Sequence, residues 1–207
     1  MTTTPVLYVI ACGAPPAQDR PGLPDYVEGC QAIGWDVCVV PTTYGRRFVD
    51  ADLLAQLTGH PLRSDYKLPG EDDVLPPADA LVVAPATFNT VNKLAAGIAD
   101  TLALGLLNEA IGARVPVVVA VCTNKPLADH PAFGRSVELL REAGVRFVPD
   151  ATDLDEIATS PAGLPFPWAG LLDEVRRLHE DLTTGPLSNV SGHRTGGGPS
   201  DEHPAEQ

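Results

Sequence analysis

The sequence predicts a three-layer α/β domain, a parallel sheet with helices on both faces. Two observations carry this. Five short apolar runs alternate with helical patterns, which is the signature of successive β-α-β units. The runs are apolar at nearly every position rather than at alternate ones, as strands covered on both faces must be. A chain of 207 residues with 44 % hydrophobic residues is long enough to bury one such core. Aromatics make up only 5 %, so aliphatic side chains must fill it.

The first strand is Val6 to Cys12, ending at Gly13. Ala14 to Pro24 holds four prolines and reads as a loop. A helix from about Pro24 to Ile33 follows, with Gly34 as its C-cap. The second strand is Asp36 to Pro41, and Asp50 caps a short helix from Ala51 to Thr58. Gly59 to Pro77 is polar, has four prolines and reads as a long exposed connection. Ala80 to Pro85 is the clearest strand. It leads through Ala86 to Val91 into one long helical pattern, about Asn92 to Gly112. A fourth strand, Val115 to Cys122, a helix from Ala132 to Ala143 closed by Gly144, and a short fifth strand, Val145 to Pro149, complete the alternation. Trp168 to Leu182 is a last helix. Residues 183–207 are rich in Gly, Ser, Pro and charge and are expected to be a disordered tail beyond a domain spanning 1–182.

Composition excludes some functions. The net charge of −13 argues against a nucleic-acid footprint and against docking on anionic lipid. No run reaches the ~20 apolar residues of a membrane span, and the first residues do not resemble a signal peptide, so a cytoplasmic protein is expected. Cys12, Cys30, Cys38 and Cys122 form no CxxC pair. Three of them lie in or beside apolar segments and are expected to be small buried hydrophobes, and no metal site is expected.

Parallel sheets bind ligands at the carboxyl ends of their strands, beside helix N-termini. Three turns qualify: after Cys12, after Pro41 and after Pro85. The third is the richest. In Ala84-Pro85-Ala86-Thr87-Phe88-Asn89-Thr90-Val91-Asn92-Lys93 a buried strand ends in hydroxyl and amide side chains. A helix over Leu94 to Asp100 then aims its amino end at the same place. This suits an anionic or hydrogen-bonding ligand, and it equally suits plain helix capping.

The run Pro85-Ala86-Thr87-Phe88-Asn89-Thr90, with Lys93, Gly97-Ile98-Ala99-Asp100 and Leu102, resembles the signature of the homo-oligomeric flavin-containing cysteine decarboxylases. That family includes phosphopantothenoylcysteine decarboxylase and the peptide cysteine decarboxylases of lantibiotic biosynthesis. Its usual motif is Pro-Ala-Ser/Thr-Ala-Asn-Thr followed by Gly-Ile-Ala-Asp, and Phe88 stands where it has Ala. Val39 to Val49, with Thr42 before small residues and Arg46-Arg47-Phe48, is similar to the family's second-strand turn, which implies that Thr42 and its neighbours lie near the flavin. Arg46 and Arg47 can equally be solvated charges. The resemblance covers about residues 5 to 150 and implies a Rossmann-like (flavodoxin-like) fold and an FMN cofactor. It implies that Gly13, Thr42, Pro85, Ala86, Thr87, Asn89, Thr90, Lys93 and Asp100 contribute to the cofactor site. It also implies a homo-oligomer, trimer-based, with the flavin near a subunit interface.

The family's reaction is oxidation of a cysteine-like thiol, followed by loss of carbon dioxide. This implies a small-molecule or peptide thiol substrate, such as a peptide C-terminal cysteine. The chain departs from the family at several points. After strand one the family has a hydroxyl residue that helps hold the phosphate. Here Ala14-Pro15-Pro16 supplies no hydroxyl, and the prolines supply no N–H. The family's His before the third strand is matched in position by Glu71, with Asp72 and Asp73 beside it; these carboxylates can act as a base or form a solvated acidic loop. Asn124 fits the Asn that clamps the substrate carboxylate, without the surrounding Met residues, and Lys125 is an alternative partner for it. His130 reads as a helix-start or a catalytic residue. Asp150 to Trp168 has no Cys where the family's flap carries its proton donor. Phe166 and Trp168 either cover the flavin or pack on the domain. Three readings follow: a flavin-dependent decarboxylase, a flavin-binding partner subunit without independent activity, and an enzyme of the flavin prenyltransferase type.

Overall fold

The computed structural model describes residues 4–18, 21–68, 70, 72–150, 158–159 and 165–184. Its strands are β1 (Val6–Ala11), β2 (Asp36–Pro41), β3 (Ala80–Ala86), β4 (Val117–Cys122), β5 (Arg146–Phe147) and β6 (Ala158–Thr159). The order is β2-β1-β3-β4-β5, with β6 also on β4, and every pairing is parallel. The chain leaves β1 outward to β2 and then crosses back to β3. The β1/β3 gap is therefore the point where the winding reverses.

The helices are α1 (Leu23–Ile33), α2 (Ala51–Thr58), α3 (Phe88–Ala95), α4 (Leu102–Ala113), α5 (Lys125–Ala128), α6 (Pro131–Glu142) and α7 (Trp168–Thr184). They cover both faces, as expected. Strand residues alternate between two cores, because successive side chains point to opposite sides. Tyr8, Ile10, Cys12, Leu81, Val83, Val119 and Val121 pack under α3, α4 and α6. Leu7, Val9, Val37, Val39, Val82, Val118 and Ala120 pack under α1, α2 and α7. Each outer helix buries a single stripe: Leu23, Tyr26, Val27 and Cys30 on α1, Phe133, Val137 and Leu140 on α6, Trp168, Leu171, Val175 and Leu178 on α7.

Gly34 adopts φ +117° and ends α1 as the sequence indicates. Two expectations are corrected. The single long helix over Asn92 to Gly112 is two helices. Gly97 at φ +69° ends the first, and Thr101 caps the second by accepting Leu104 N–H at 3.3 Å. The third strand runs one residue further, through Ala86, and the helix starts at Phe88, so Thr87 alone forms the junction. α7 extends through Thr184, and the tail expected from composition lies outside the described residues beyond it. No helix among the described residues is long and apolar enough to cross a membrane.

All four cysteines are buried and none forms a disulfide. Burial raises the Cys30 and Cys38 thiols from 9.0 to about 12, and Asp36 adds to the rise at Cys38. Burial likewise pushes the Tyr8 hydroxyl up to about 12. The unfolded chain therefore ionises these groups first. Their contribution is complete below the unfolded thiol value of 9.0 and is lost as pH climbs towards about 12. Urea melts at stepped pH are expected to show stability falling across that alkaline window.

Candidate functional site

The carboxyl ends of β1, β2 and β3 open into a cleft of about 420 Å³ at the winding reversal. That volume lies within the range of small-molecule sites. Cys12 and Gly13 are its floor. Thr42, Thr43 and Tyr44 form one wall; Thr87, Asn89, Thr90, Lys93, Thr101 and Leu104 form the other. Five of these eleven residues are threonines, one is a cation and none is a carboxylate. In a chain of net charge −13 a lining without acid is compatible with an anionic ligand.

The Thr87 side chain caps α3 by accepting Thr90 N–H at 3.4 Å. The first-turn N–H groups of that helix have no intrahelical carbonyl to bond and face the ligand end. Thr90 Oγ1 lies 3.0 Å from Thr87 Oγ1 and 3.2 Å from Cys12 Sγ, a short polar chain across the β1/β3 gap. Burial raises the Cys12 thiol pKa, with Thr90 and Thr87 pulling weakly the other way, so it stays protonated and acts as a neutral polar group. Thr87→Ala removes the cap and one hydroxyl of the chain. It is expected to cost about 1 kcal/mol in urea unfolding and to weaken any ligand held at this helix end.

Pro85 and Ala86 end β3 and are not among the residues that line the cleft. Pro85 O accepts Cys12 N–H at 3.1 Å, tying β3 to the end of β1, and Ala86 pairs with Val121 after a register shift in β3. Asp100 stands behind Lys93 and binds its Nζ at 2.5 Å, which fixes the cation at the cleft wall. Phe88 packs between α3 and α6, with Phe133 stacked at 6.1 Å and the His130 ring edge-on at 5.8 Å. Asn92 Nδ2 donates to Phe88 O at 2.8 Å, and its Oδ1 accepts from Ser136 Oγ at 2.7 Å. The wall of the cleft is thus fastened to α6.

The residues singled out for chemistry stand apart from this cleft or outside the described residues. Glu71 is among the latter. Its neighbour Asp73 is paired with Lys67 at 3.0 Å and Arg63 at 3.6 Å, and the Lys67 hydrogen bond holds its carboxyl below the usual range, which makes it a weak base. Asn124 follows β4 at the same end of the sheet. It is exposed and caps α5, its Oδ1 accepting Leu127 N–H at 3.1 Å. Lys125 pairs with Asp129 at 2.9 Å. His130 is the N-cap of α6, its Nδ1 accepting Ala132 N–H. His60 pairs with Asp36, which begins β2 at the opposite end of the sheet. Phe166 and Trp168 pack on the domain: their rings are 4.6 Å apart, and Trp168 is 5.2 Å from Tyr26 in the α1 layer. β6 pairs with Val121 and Cys122, which brings that part of the chain to the carboxyl end of β4.

Cys12, Thr101 and Leu104 join the lining without having been singled out, while Thr43 and Tyr44 enter it as the neighbours of Thr42. Thr101 carried a signal, a hydroxyl just before the Leu102 run; the others depend on how the turns fold together.

A parallel sheet of order 2-1-3-4-5 with a threonine-lined crevice at its reversal is the architecture of the doubly wound α/β class, in which nucleotide-type cofactors bind at that crevice. Within that class, the chain belongs to the Flavoprotein family, whose model matches residues 22–176. It is 33 % identical to the coenzyme A biosynthesis bifunctional protein CoaBC of Bacillus subtilis over 121 residues, 56 % of this chain and 29 % of that protein. A shorter stretch of 67 residues is 42 % identical to a cysteine/cysteine sulfinic acid decarboxylase from an unknown prokaryotic organism, 32 % of this chain and 18 % of that one. The chain therefore spans less than a third of the length of these relatives. Among solved structures it is similar to the FMN-dependent cysteine decarboxylase SpaF, with TM-score 0.62 and 26 % identity, covering 84 % of this chain and 96 % of the other. A PPC decarboxylase variant complexed with pantothenoylaminoethenethiol shares the fold with TM-score 0.63 at 22 % identity, covering 86 % of this chain and 100 % of that one.

Proposed function

We propose that the cleft binds FMN and that the protein oxidatively decarboxylates a thiol-bearing carboxylate, a small molecule or a peptide ending in cysteine. One coincidence carries the reading. Thr87, Asn89, Thr90 and Lys93, from the segment resembling the cysteine decarboxylase signature, line the cleft at the winding reversal of a Flavoprotein-family chain, and Asp100 pairs with Lys93. Similarity to FMN-dependent cysteine decarboxylases over most of the chain supports the reaction class.

The residues present fit a flavin phosphate. The helix start at Thr87, the Gly13 backbone free of a Cβ, the hydroxyls of Thr42 and Thr90, and Lys93 are the donors it requires. When bound, the flavin supplies the two-electron acceptor for thiol oxidation. Asn89 and Thr87 orient the cofactor. Lys93, steadied by Asp100, adds a fixed positive charge. Asn124 is assigned to the substrate carboxylate and Glu71 to the base. The protein acts as a homo-oligomer, with a neighbouring copy completing the cleft and excluding water.

A second reading is favoured by one observation: among the described residues no histidine lines the cleft. A flavin-binding partner subunit would need none. Purification, the visible flavin spectrum and mass analysis of the released cofactor test FMN binding. Anaerobic mixing with cysteine-ending peptides or small thiol carboxylates then tests the reaction. Bleaching of the flavin with release of carbon dioxide supports it. No bleaching with any of them leaves the partner-subunit reading.

A further inference from the structure

We propose that Tyr44 and Arg47, on the turn after β2, hold the phosphate end of the flavin and set a preference for FMN over riboflavin. The inference rests on the flavin reading above. It begins from a shortage of donors at the turn after β1. From Cys12 to Ala17 no side chain carries a hydroxyl. Pro15 and Pro16 have no N–H, and the Ala14 N–H is already bonded to Cys12 O at 3.0 Å. A dianionic phosphate beside Gly13 and the start of α3 needs further donors and positive charge.

The turn after β2 supplies both. Tyr44 is 59 % exposed and lines the cleft. Its ring edge lies directly on the β1 turn: a Cβ on Gly13 would meet Tyr44 Cδ1 at 2.4 Å and Cε1 at 3.0 Å. Gly45 brings the turn that close, because a side chain there would overlap the Ala11 carbonyl. Two glycines therefore seat the ring of an exposed tyrosine against the donor-poor turn.

The nearby cations differ in what holds them. Lys93 is bound by Asp100, and Arg46 donates to Ser64 Oγ at 3.2 Å. The Arg47 guanidinium instead rests over the Tyr44 ring, 5.1 Å from its centre. A cation–π contact at an exposed ring is weaker than a charge-assisted hydrogen bond to phosphate. Arg47 can therefore leave the ring face for the phosphate at little cost, with Tyr44 as its hinge and second donor.

The test is fluorescence titration of the flavin-free full chain with FMN and with riboflavin, which lacks the phosphate. The parent chain is expected to prefer FMN. Arg47→Met is expected to cut that preference by about tenfold with riboflavin affinity unchanged, and Tyr44→Phe to cut it by a smaller factor. The salt dependence of FMN binding should flatten in Arg47→Met. Arg176→Met, on exposed α7, removes the same charge far from the cleft and should leave the ratio alone; thermal melts confirm that each variant is folded. An unchanged FMN-to-riboflavin ratio in folded Arg47→Met overturns the inference while leaving flavin binding intact. Failure of the parent chain to bind either flavin overturns the flavin reading itself.

Discussion

Gly45→Ala is expected to destabilise the chain by about 1–3 kcal/mol and to abolish flavin binding. The new Cβ would lie 2.2 Å from Ala11 O and 2.9 Å from Thr42 Oγ1. The first of these is backbone at the end of a fully buried strand, and it also accepts Thr42 N–H at 2.9 Å. It cannot yield as the tip of a long side chain would. The turn must lift instead, losing the Gly45 N–H bond to Thr42 Oγ1 at 2.9 Å and carrying Thr42, Thr43 and Tyr44 away from the cleft. Urea unfolding and flavin titration read the two effects separately. Gly112→Ala, inside α4, is the comparison, since its backbone is helical and nothing lies within 4 Å of its would-be Cβ. A Gly45→Ala protein that binds flavin as the parent does would show that this turn is not a wall of the site.

Phe133→Ala is expected to cost about 3–5 kcal/mol in urea unfolding. The side chain is fully buried at the junction of α6, β4 and α3. Its loss opens a cavity beneath the stacked ring of Phe88, the second residue of the α3 cap region. The α3 start then loses one of its ties to α6, keeping the His130 ring against Phe88 and the Asn92–Ser136 hydrogen bond. Flavin affinity is expected to fall together with stability. Phe133→Leu, which keeps most of the volume, is expected to restore most of both. A Phe133→Ala protein with parental stability would contradict the packing described.

The resemblance in the sequence reached this site unevenly. Thr87, Asn89, Thr90 and Lys93 are contiguous on one strand–helix junction, so local sequence places them together before any tertiary contact forms. Asp100 was legible for the same reason, although its role is to hold Lys93 rather than to line the cleft. Phe88 was visible as a departure. Its cause, the stack on Phe133, lies 45 positions away on another helix. Tyr44 was legible only as a neighbour of Thr42 in the second-strand turn, because its seat on the β1 turn depends on Gly13 and Gly45 meeting across two strands. Asn124 was identified by its position after β4. In the structure its side chain caps α5, since an Asn before a helix satisfies a free N–H.

The alternation of apolar runs and helical stripes by itself determined the class of fold. Strands with no polar face must be covered on both sides, and helices with one apolar stripe must cover them. It determined the caps as well: Gly34, Asp50 and Thr87 act through bonds within a few residues. The strand order was decided only by tertiary structure, because nothing local says that β3 returns to the far side of β1. That return makes the cleft, bringing Cys12, Tyr44 and Thr90 to one place. It also broke the expected long helix, since α3 and α4 must each follow the same face of a twisted sheet, and Gly97 is the residue that permits the corner.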